Sequence, residues 1–404
     1  MLNNLVLLYF IVYFLQLGGR ISVLGALRFE FLIGVIILIA VCAQKHRLLL
    51  HKNKFSMAIL FFFLALFASF LGAFWTHTAS HAVEVFVNIL KVFAMYIMLV
   101  GTIDDEKKFK RFLWVYLIML LWVCLEPLCL YYTGNALVRK GHLYGATGLF
   151  AHYNALGSMS VITLIFLIQF MAYYKKAFIR ILLLIFMGLV LNTLVLTASR
   201  TAYLGLISVG FFSVLFSKNR VRNFILVGLL GLVIFTMAPE EYRERFYSMA
   251  KMGKVLTGQT VEGDTIATRW QIIEDAWDIF LDYPIIGCGL DSFYQIRGAR
   301  FNRWQQTHNL YMQIFTNVGV VGFLAFLNLI STIFRSCNNI KKAALQIEYG
   351  SKLMFFTSNT VVILMFTMLV IGIAAHILYS NVWWVMIALC LIMSRIQAQA
   401  RRDN

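Results

Sequence analysis

Charge is what this sequence has least of. Only 13% of its 404 residues are Asp, Glu, Lys or Arg, and the 18 acids are outnumbered by 35 basic residues. Prolines number three. A chain of this length has room for two or three soluble domains, but one so poor in charge cannot clothe their surfaces. The hydrophobic share is 61%, with many windows of about 18–20 residues that hold few or no charges, as membrane-spanning helices do. The class this implies is an all-α polytopic membrane protein.

Other absences narrow the reading. The N-terminus has neither a basic n-region nor a small-residue cleavage site, so Met1–Leu17 is expected to be a retained span. Four of the six cysteines (Cys42, Cys124, Cys129, Cys390) lie in apolar runs, Cys337 falls in a basic connector, and Cys288 alone lies in a polar stretch. No intramolecular disulfide is therefore expected outside the membrane. Internal repeats and low-complexity segments are absent. No Cys/His set has metal-ligand spacing, and His77, His81, His142 and His152 are too loosely disposed to claim zinc. Gly287-Cys-Gly289 lacks the third glycine and the strand–helix context of a dinucleotide site. The formal charge of +17 invites a nucleic-acid partner, but the lysines and arginines sit in short connectors, not on one face of a soluble domain.

Twelve apolar runs are present: Leu2–Leu17, Phe29–Ala43, Phe55–Trp75, Val83–Val100, Phe112–Tyr132, Asn154–Tyr174, Ile181–Thr197, Thr201–Phe216, Phe224–Met237, His308–Phe334, Met354–Ala375 and Ser380–Ile396. Every second connector is basic: Lys45–Lys54, Lys107–Arg111, Lys175–Arg180, Lys218–Arg222, Arg335–Lys352 and Arg395–Arg402. By the positive-inside rule this predicts cytoplasmic N- and C-termini and a large loop that faces out. The expected organisation is helices 1–9 over residues 1–237, a large outer (periplasmic) loop over 238–307, and helices 10–12 with the cytoplasmic C-terminus over 308–404. Glu84, Lys91 and Glu126, within or near spans, are expected to pair with other helices.

That loop carries ten of the acids, among them Glu240, Glu262, Asp275, Asp278, Asp282 and Asp291. A polar loop of this size ending in a histidine at the membrane boundary reads as an active-site lid. Within it, Ile266, Trp270, Ile273, Trp277 and Phe280 recur at spacings of four and three. They predict the apolar stripe of a short amphipathic helix, with Gln271, Asp275, Asp278 and Asp282 opposite and Arg269 at the stripe's edge. Pro284, Gly287 and Gly289 predict a turn after it.

Three residues draw attention as chemistry. Arg200, in the short turn T-A-S-R-T-A-Y, is either an interfacial arginine reaching into headgroups or a bidentate phosphate ligand. Arg269 points to where lipid phosphates lie if the apolar stripe rests on the bundle or the headgroup layer. His308, with Thr307 as N-cap and Asn309 beside it, is either a helix-terminal histidine or a proton acceptor at neutral pH. Gly319 and Gly322, on the same helical face, are expected to let another helix approach closely.

Four blocks then bring a resemblance into view: G-L-F-A-H-Y-N-A-L-G (148–157), T-A-S-R-T-A (197–202), T-R-W through P-I-I-G-C-G-L-D-S-F (268–293) and H-N-L-Y-M-Q-I-F-T-N-V-G-V-V-G-F (308–323). Together they resemble the O-antigen ligase and Wzy-type polymerase superfamily of bacterial inner-membrane glycosyltransferases. The likeness is specific from about Gly148 to Phe323 and only topological elsewhere. One departure is Asn317, where many members carry glutamate, so no acidic role carries over to it. The resemblance implies transfer of a glycan from undecaprenyl pyrophosphate to an acceptor hydroxyl on the periplasmic side, without metal or other cofactor. It implies that Arg200 and Arg269 bind the pyrophosphate and that His308 is catalytic, with Asn154, Asn309 and Tyr311 in support. The expected activity is that of an O-antigen ligase, whose acceptor is the lipid A–core oligosaccharide. Two alternatives stay open: a Wzy-type polymerase, whose acceptor is another lipid-linked repeat, and, more remotely, a secondary transporter.

Overall fold

The computed structural model describes residues 2–44, 54–139, 141–146, 148–216, 265–346 and 351–400. The predicted span Phe224–Met237, the acid-rich stretch Pro239–Asp264 and the basic clusters at 45–52 and 218–222 lie outside the described residues.

The described chain is almost wholly helical. The helices are α1 (Leu2–Leu15), α2 (Leu17–Arg20), α3 (Ser22–Ala26), α4 (Phe29–Cys42), α5 (Lys54–Trp75), α6 (Ala79–Thr102), α7 (Glu106–Tyr132), α8 (Tyr153–Tyr173), α9 (Ala177–Thr197), α10 (Arg200–Leu215), α11 (Thr265–Asp282), α12 (Phe293–Phe301), α13 (Leu310–Gln346), α14 (Lys352–Ile371) and α15 (Asn381–Ala400). A two-residue hairpin pairs β1 (Val138–Arg139) with β2 (His142–Leu143), antiparallel. Among the described residues nine helical segments are long and apolar enough to cross a membrane, and Phe29–Cys42 and Arg200–Leu215 are shorter apolar helices. Those eleven coincide with eleven of the twelve apolar runs. The basic residues Arg335, Lys341 and Lys342 stand on the extended end of α13 and not in a loop, because nothing in the sequence stops that helix before Gln346. Lys91 donates to Asn88 on its own helix, not to a neighbouring one.

The chain divides into two compact units, residues 1–119 with 272–404, and residues 120–271, the divisions falling inside α7 and α11. In the first unit α13 packs along α5 and α14, and α15 along α6. Two ends of this unit are distinct. At one, Glu106 accepts from Ser351 Oγ, and Arg395 donates to the Val100 carbonyl, near the basic connectors. At the other, the segment after α11 meets the α5–α6 turn and the starts of α13 and α15. In the second unit α8 packs against α9 and α10, and β2 packs on α9.

The central local feature of the first unit is a break in α13 at Gly319, where the backbone turns to φ 64° and ψ −165°. The N–H groups of Val320 and Val321, which in an unbroken helix would bond Thr316 and Asn317, donate instead to the carbonyls of Pro284 (2.9 Å) and Ile285 (3.1 Å). The vacated carbonyls of Thr316 and Asn317 accept from the N–H groups of Cys288 (2.7 Å) and Gly289 (3.3 Å). Two donors and two acceptors released by the helix are thus matched by the segment 284–289. The approach is backbone to backbone: a Cβ on Gly287 would lie 2.3 Å from the Asn317 carbonyl carbon, and one on Gly319 would lie 2.4 Å from the Ile285 oxygen. Gly319 therefore receives the turn segment 284–289, not the neighbouring helix that its spacing with Gly322 predicts.

Helix α11 also departs from the expected face. Of the predicted stripe Phe280 is buried, but Trp270 is 64% and Trp277 47% exposed, and Ile272, Asp275, Ala276 and Ile279 take the other inward places. The inward stripe is one step round from the aromatic one because Asp275 is neutralised where it lies. Arg297 Nε donates to it at 2.8 Å and Arg303 Nη1 at 3.1 Å, so a carboxylate takes a core position at tolerable cost.

Substituting Ala for Gly287 or Gly319 puts a Cβ into backbone atoms at a positive φ, and each change is expected to lower the thermal midpoint in detergent by several degrees or abolish folding. Gly188→Ala, which meets nothing within 4 Å, is expected to be neutral or mildly stabilising. Equal midpoints for the three proteins would contradict the backbone exchange.

Candidate functional site

In the second unit, the turn between α9 and α10 is built from the two sequence blocks 148–157 and 197–202. Ala198 adopts φ 48°, ending α9, and Ser199 caps α10 by accepting from Ala202 N–H at 3.2 Å. The same hydroxyl donates to Asn154 Oδ1 at 2.7 Å, and His142 Nδ1 lies 2.8 Å from the Thr197 carbonyl oxygen. Gly157 lets α8 close on this turn: a Cβ there would lie 2.7 Å from Ala202 Cβ. Asn154 thus fixes the turn that presents Arg200.

Arg200 is the exposed first residue of α10. A cation there opposes the helix macrodipole by about 0.3–1 kcal/mol, so helix stability does not account for it. Arg269, exposed on α11, has its pKa pulled down by partial desolvation, then by the charge of Arg200, while the Tyr153 phenol acts the other way. The two guanidinium groups lie in each other's field. Among the described residues neither has a carboxylate partner. Like charges gathered without a counter-charge favour an anion between them, and two planar forks suit phosphate oxygens. Tyr153 is held beside them, its ring stacked on His142 at 4.1 Å and against His152 at 4.4 Å. The His152 pKa is lowered by burial, then by His142.

In the first unit, His308 is exposed and non-helical, with φ 46°. The cap of α13 is Asn309 and not Thr307: its Oδ1 accepts from the N–H groups of Tyr311 (2.9 Å) and Met312 (3.0 Å). Asn wins the cap because its carbonyl oxygen satisfies two of the helix's orphan donors at once. His308 is thereby placed just ahead of the helix, off its 312–315–319 face. Tyr311 OH donates to the Leu369 carbonyl at 3.0 Å, holding α13 to α14.

Residues 185–327, which include Arg200, Arg269 and His308, match the family model described as O-antigen ligase. Over that stretch the chain is similar to the O-antigen ligase family. No curated protein matches it.

The first unit also holds a polar network that the sequence did not reveal. Asp291, at φ 53°, lies 2.8 Å from His81 Nε2 and accepts from Gln306 Nε2 at 3.2 Å, and its own N–H donates to Tyr379 OH at 3.1 Å. Asn317 Nδ2 donates to the same phenol oxygen at 3.1 Å. Asn317 thus serves as a neutral tie between the broken helix and the connector that precedes α15. Burial raises the Asp291 pKa against the lowering effect of His81. Burial also pushes the Cys288 thiol up to about 12, so this cysteine is inert. Fully buried Arg297 bridges Asp275 and Gln305. Among the described residues no group of three or more His, Cys, Asp or Glu side chains is placed to hold a metal ion. The arrangement of Asp291 with His81, and of Asp275 with Arg297, joins residues far apart in sequence, which no local spacing signals.

Proposed function

We propose that this protein is an O-antigen ligase, transferring a glycan from undecaprenyl pyrophosphate to a hydroxyl of the lipid A–core oligosaccharide. The observation that carries the reading is the pair of cations Arg200 and Arg269, the second lying in the field of the first and neither with a described carboxylate partner, within a match to the O-antigen ligase family. In this reading the acceptor oxygen bonds to the anomeric carbon while that carbon's bond to the diphosphate breaks. The electron pair leaves on the diphosphate, whose growing charge the two arginines stabilise. The hydroxyl proton passes to His308. One displacement inverts the anomeric centre. Asn154 supports the Arg200 turn, while Asn309 and Tyr311 fix the start of the His308 helix.

The same chemistry serves a Wzy-type polymerase, whose acceptor is a second lipid-linked repeat. Bare core with polymer stranded on its lipid carrier in a deletion strain supports the ligase; core capped by a single repeat supports the polymerase. Of the topology we propose a bacterial inner-membrane protein with both termini cytoplasmic and residues 238–307 as the periplasmic loop, since every second connector is basic.

Arg200→Lys and Arg269→Lys retain charge but lose the fork, and each is expected to remove most of the activity of the purified protein. His308→Gln is expected to slow turnover by roughly 10²–10⁴. Activity is expected to survive EDTA. Full activity in both lysine variants, or loss in EDTA reversed by a divalent ion, would overturn the assignment.

The orientation is checked with single reporter cysteines at exposed sites, because Cys288 and Cys337 are both buried. Arg300→Cys is expected to react with a membrane-impermeant thiol reagent on intact spheroplasts, and Leu345→Cys only after the membrane is opened. The reverse pattern would invert the topology.

A further inference from the structure

Beside His308 stands a second histidine to which neither the family blocks nor the apolar runs give a role. The rings of His308 and His376 meet edge to face, with centroids 5.3 Å apart and planes at 70°, and both residues are exposed. His376 lies in the connector between α14 and α15, some seventy positions along the chain from His308.

The meeting is built, not incidental. Leu310 N–H donates to the Gly372 carbonyl at 2.7 Å, and Asn309 Nδ2 to the Ile373 carbonyl at 3.0 Å. Leu378 N–H donates to Gln313 Oε1 at 3.0 Å. A Cβ on Gly372 would lie 2.8 Å from Leu310 Cβ, so the connector is pressed against the first turn of α13. Asn309 therefore does two things: its oxygen caps the helix behind His308 and its amide holds the connector that carries His376. His308 is itself kept at φ 46°, a backbone state that is unfavourable for a residue with a β-carbon and persists where surrounding structure imposes it.

We propose that His376 is a positioning and proton-sharing partner of His308. This rests on the glycosyl-transfer reading above and deepens it. Two imidazoles in contact do not both hold a proton readily, since like charges disfavour the second. The pair starts with both rings neutral: His308 takes the proton of the acceptor hydroxyl, and His376 then takes it from His308 and passes it to water. No atom is left over: the hydroxyl proton goes to His308, then His376, then solvent, while the bonding pair leaves with the diphosphate.

Among the described residues, Tyr311, Tyr379 and Arg303 on the packed elements have partners of their own. Tyr311, on α13, donates to Leu369. Tyr379, on the connector, is bound by Asp291 N–H and Asn317. Arg303, on the segment leading into His308, is paired with Asp275. His376 is thus the imidazole in ring contact with His308.

The test has two arms on the full-length protein in detergent. The first follows the His308 ring by NMR through a pH titration, in wild type and in His376→Gln. The pair is expected to titrate in two coupled steps in wild type, and His308 in one step at higher pH in the variant. A titration of His308 that is the same in both would overturn the proposal. The second arm measures glycan transfer. His376→Gln and His376→Phe are both expected to lower kcat about tenfold with the donor KM unchanged, less than the loss from removing the base itself. Added imidazole is expected to restore part of the rate in His376→Ala. Wild-type turnover in His376→Phe would show that ring packing alone matters and would also overturn it. Failure of the wild-type protein to transfer any glycan would defeat the glycosyl-transfer reading, whereas the NMR arm reads the histidine pair without a substrate.

Discussion

A membrane offers no water to a broken helix. Each backbone group released in hydrocarbon costs several kcal/mol unless the protein supplies a partner, and this requirement organises the first unit. The interruption at Gly319 frees the N–H groups of Val320 and Val321 and the carbonyls of Thr316 and Asn317. All four find partners on residues 284–289. The Pro-x-x-Gly-x-Gly block and the Gly-x-x-Gly block are in this sense one structure written in two places. Small residues on α5 complete the fit. Ser69 Oγ donates to the Asn317 carbonyl, and a Cβ on Gly289 would lie 2.7 Å from Ala73 Cα. The residues just beyond Gly289 inherit this anchorage: Asp291 is held by His81, Gln306 and Tyr379, and the segment carrying Gln306 leads two residues later to His308.

The second unit depends on a different economy of charge. Arg200 begins a helix whose dipole disfavours it, and Arg269 is depressed by desolvation and by Arg200. Elsewhere acids and bases are matched where they are buried, as Asp275 is with Arg297. Arg200 and Arg269, both exposed, the second in the field of the first and neither with a described acid, stand in contrast to that buried pair. In the proposed chemistry these two cations are the site itself: a diphosphate supplies the missing negative charge, and more of it develops as the lipid leaves.

Much of this was legible in the sequence. The apolar runs identified helices because length and hydropathy suffice for that, and eleven of the twelve coincide with helices. Arg200, Arg269 and His308 stood out because each departs from the hydrophobic pattern at a turn or helix edge. The inward face of α11 was not legible, because a paired Asp275 packs as an apolar residue does while Trp270 and Trp277 stay outside. The break at Gly319 was hidden for a related reason. Spacing shows that two glycines share a helical face, not that a segment thirty residues upstream takes over the helix's hydrogen bonds. The sequence pointed to Thr307 as the cap, and only the hydrogen bonds of Tyr311 and Met312 to Asn309 Oδ1 show that the helix begins two residues later. His376 lies outside every motif and reaches His308 through the docking of a connector on α13.

The central claim is glycosyl transfer by direct displacement. The most direct measurement is the anomeric configuration of the new linkage made by the purified protein. It would be incubated in detergent, without an ion gradient, with a synthetic polyprenyl-diphosphate-linked glycan and a lipid A–core acceptor. Direct displacement predicts transfer with release of the polyprenyl diphosphate and an inverted anomeric centre. A retained configuration would contradict the single displacement, and no transfer in the absence of a gradient would contradict the enzyme reading altogether.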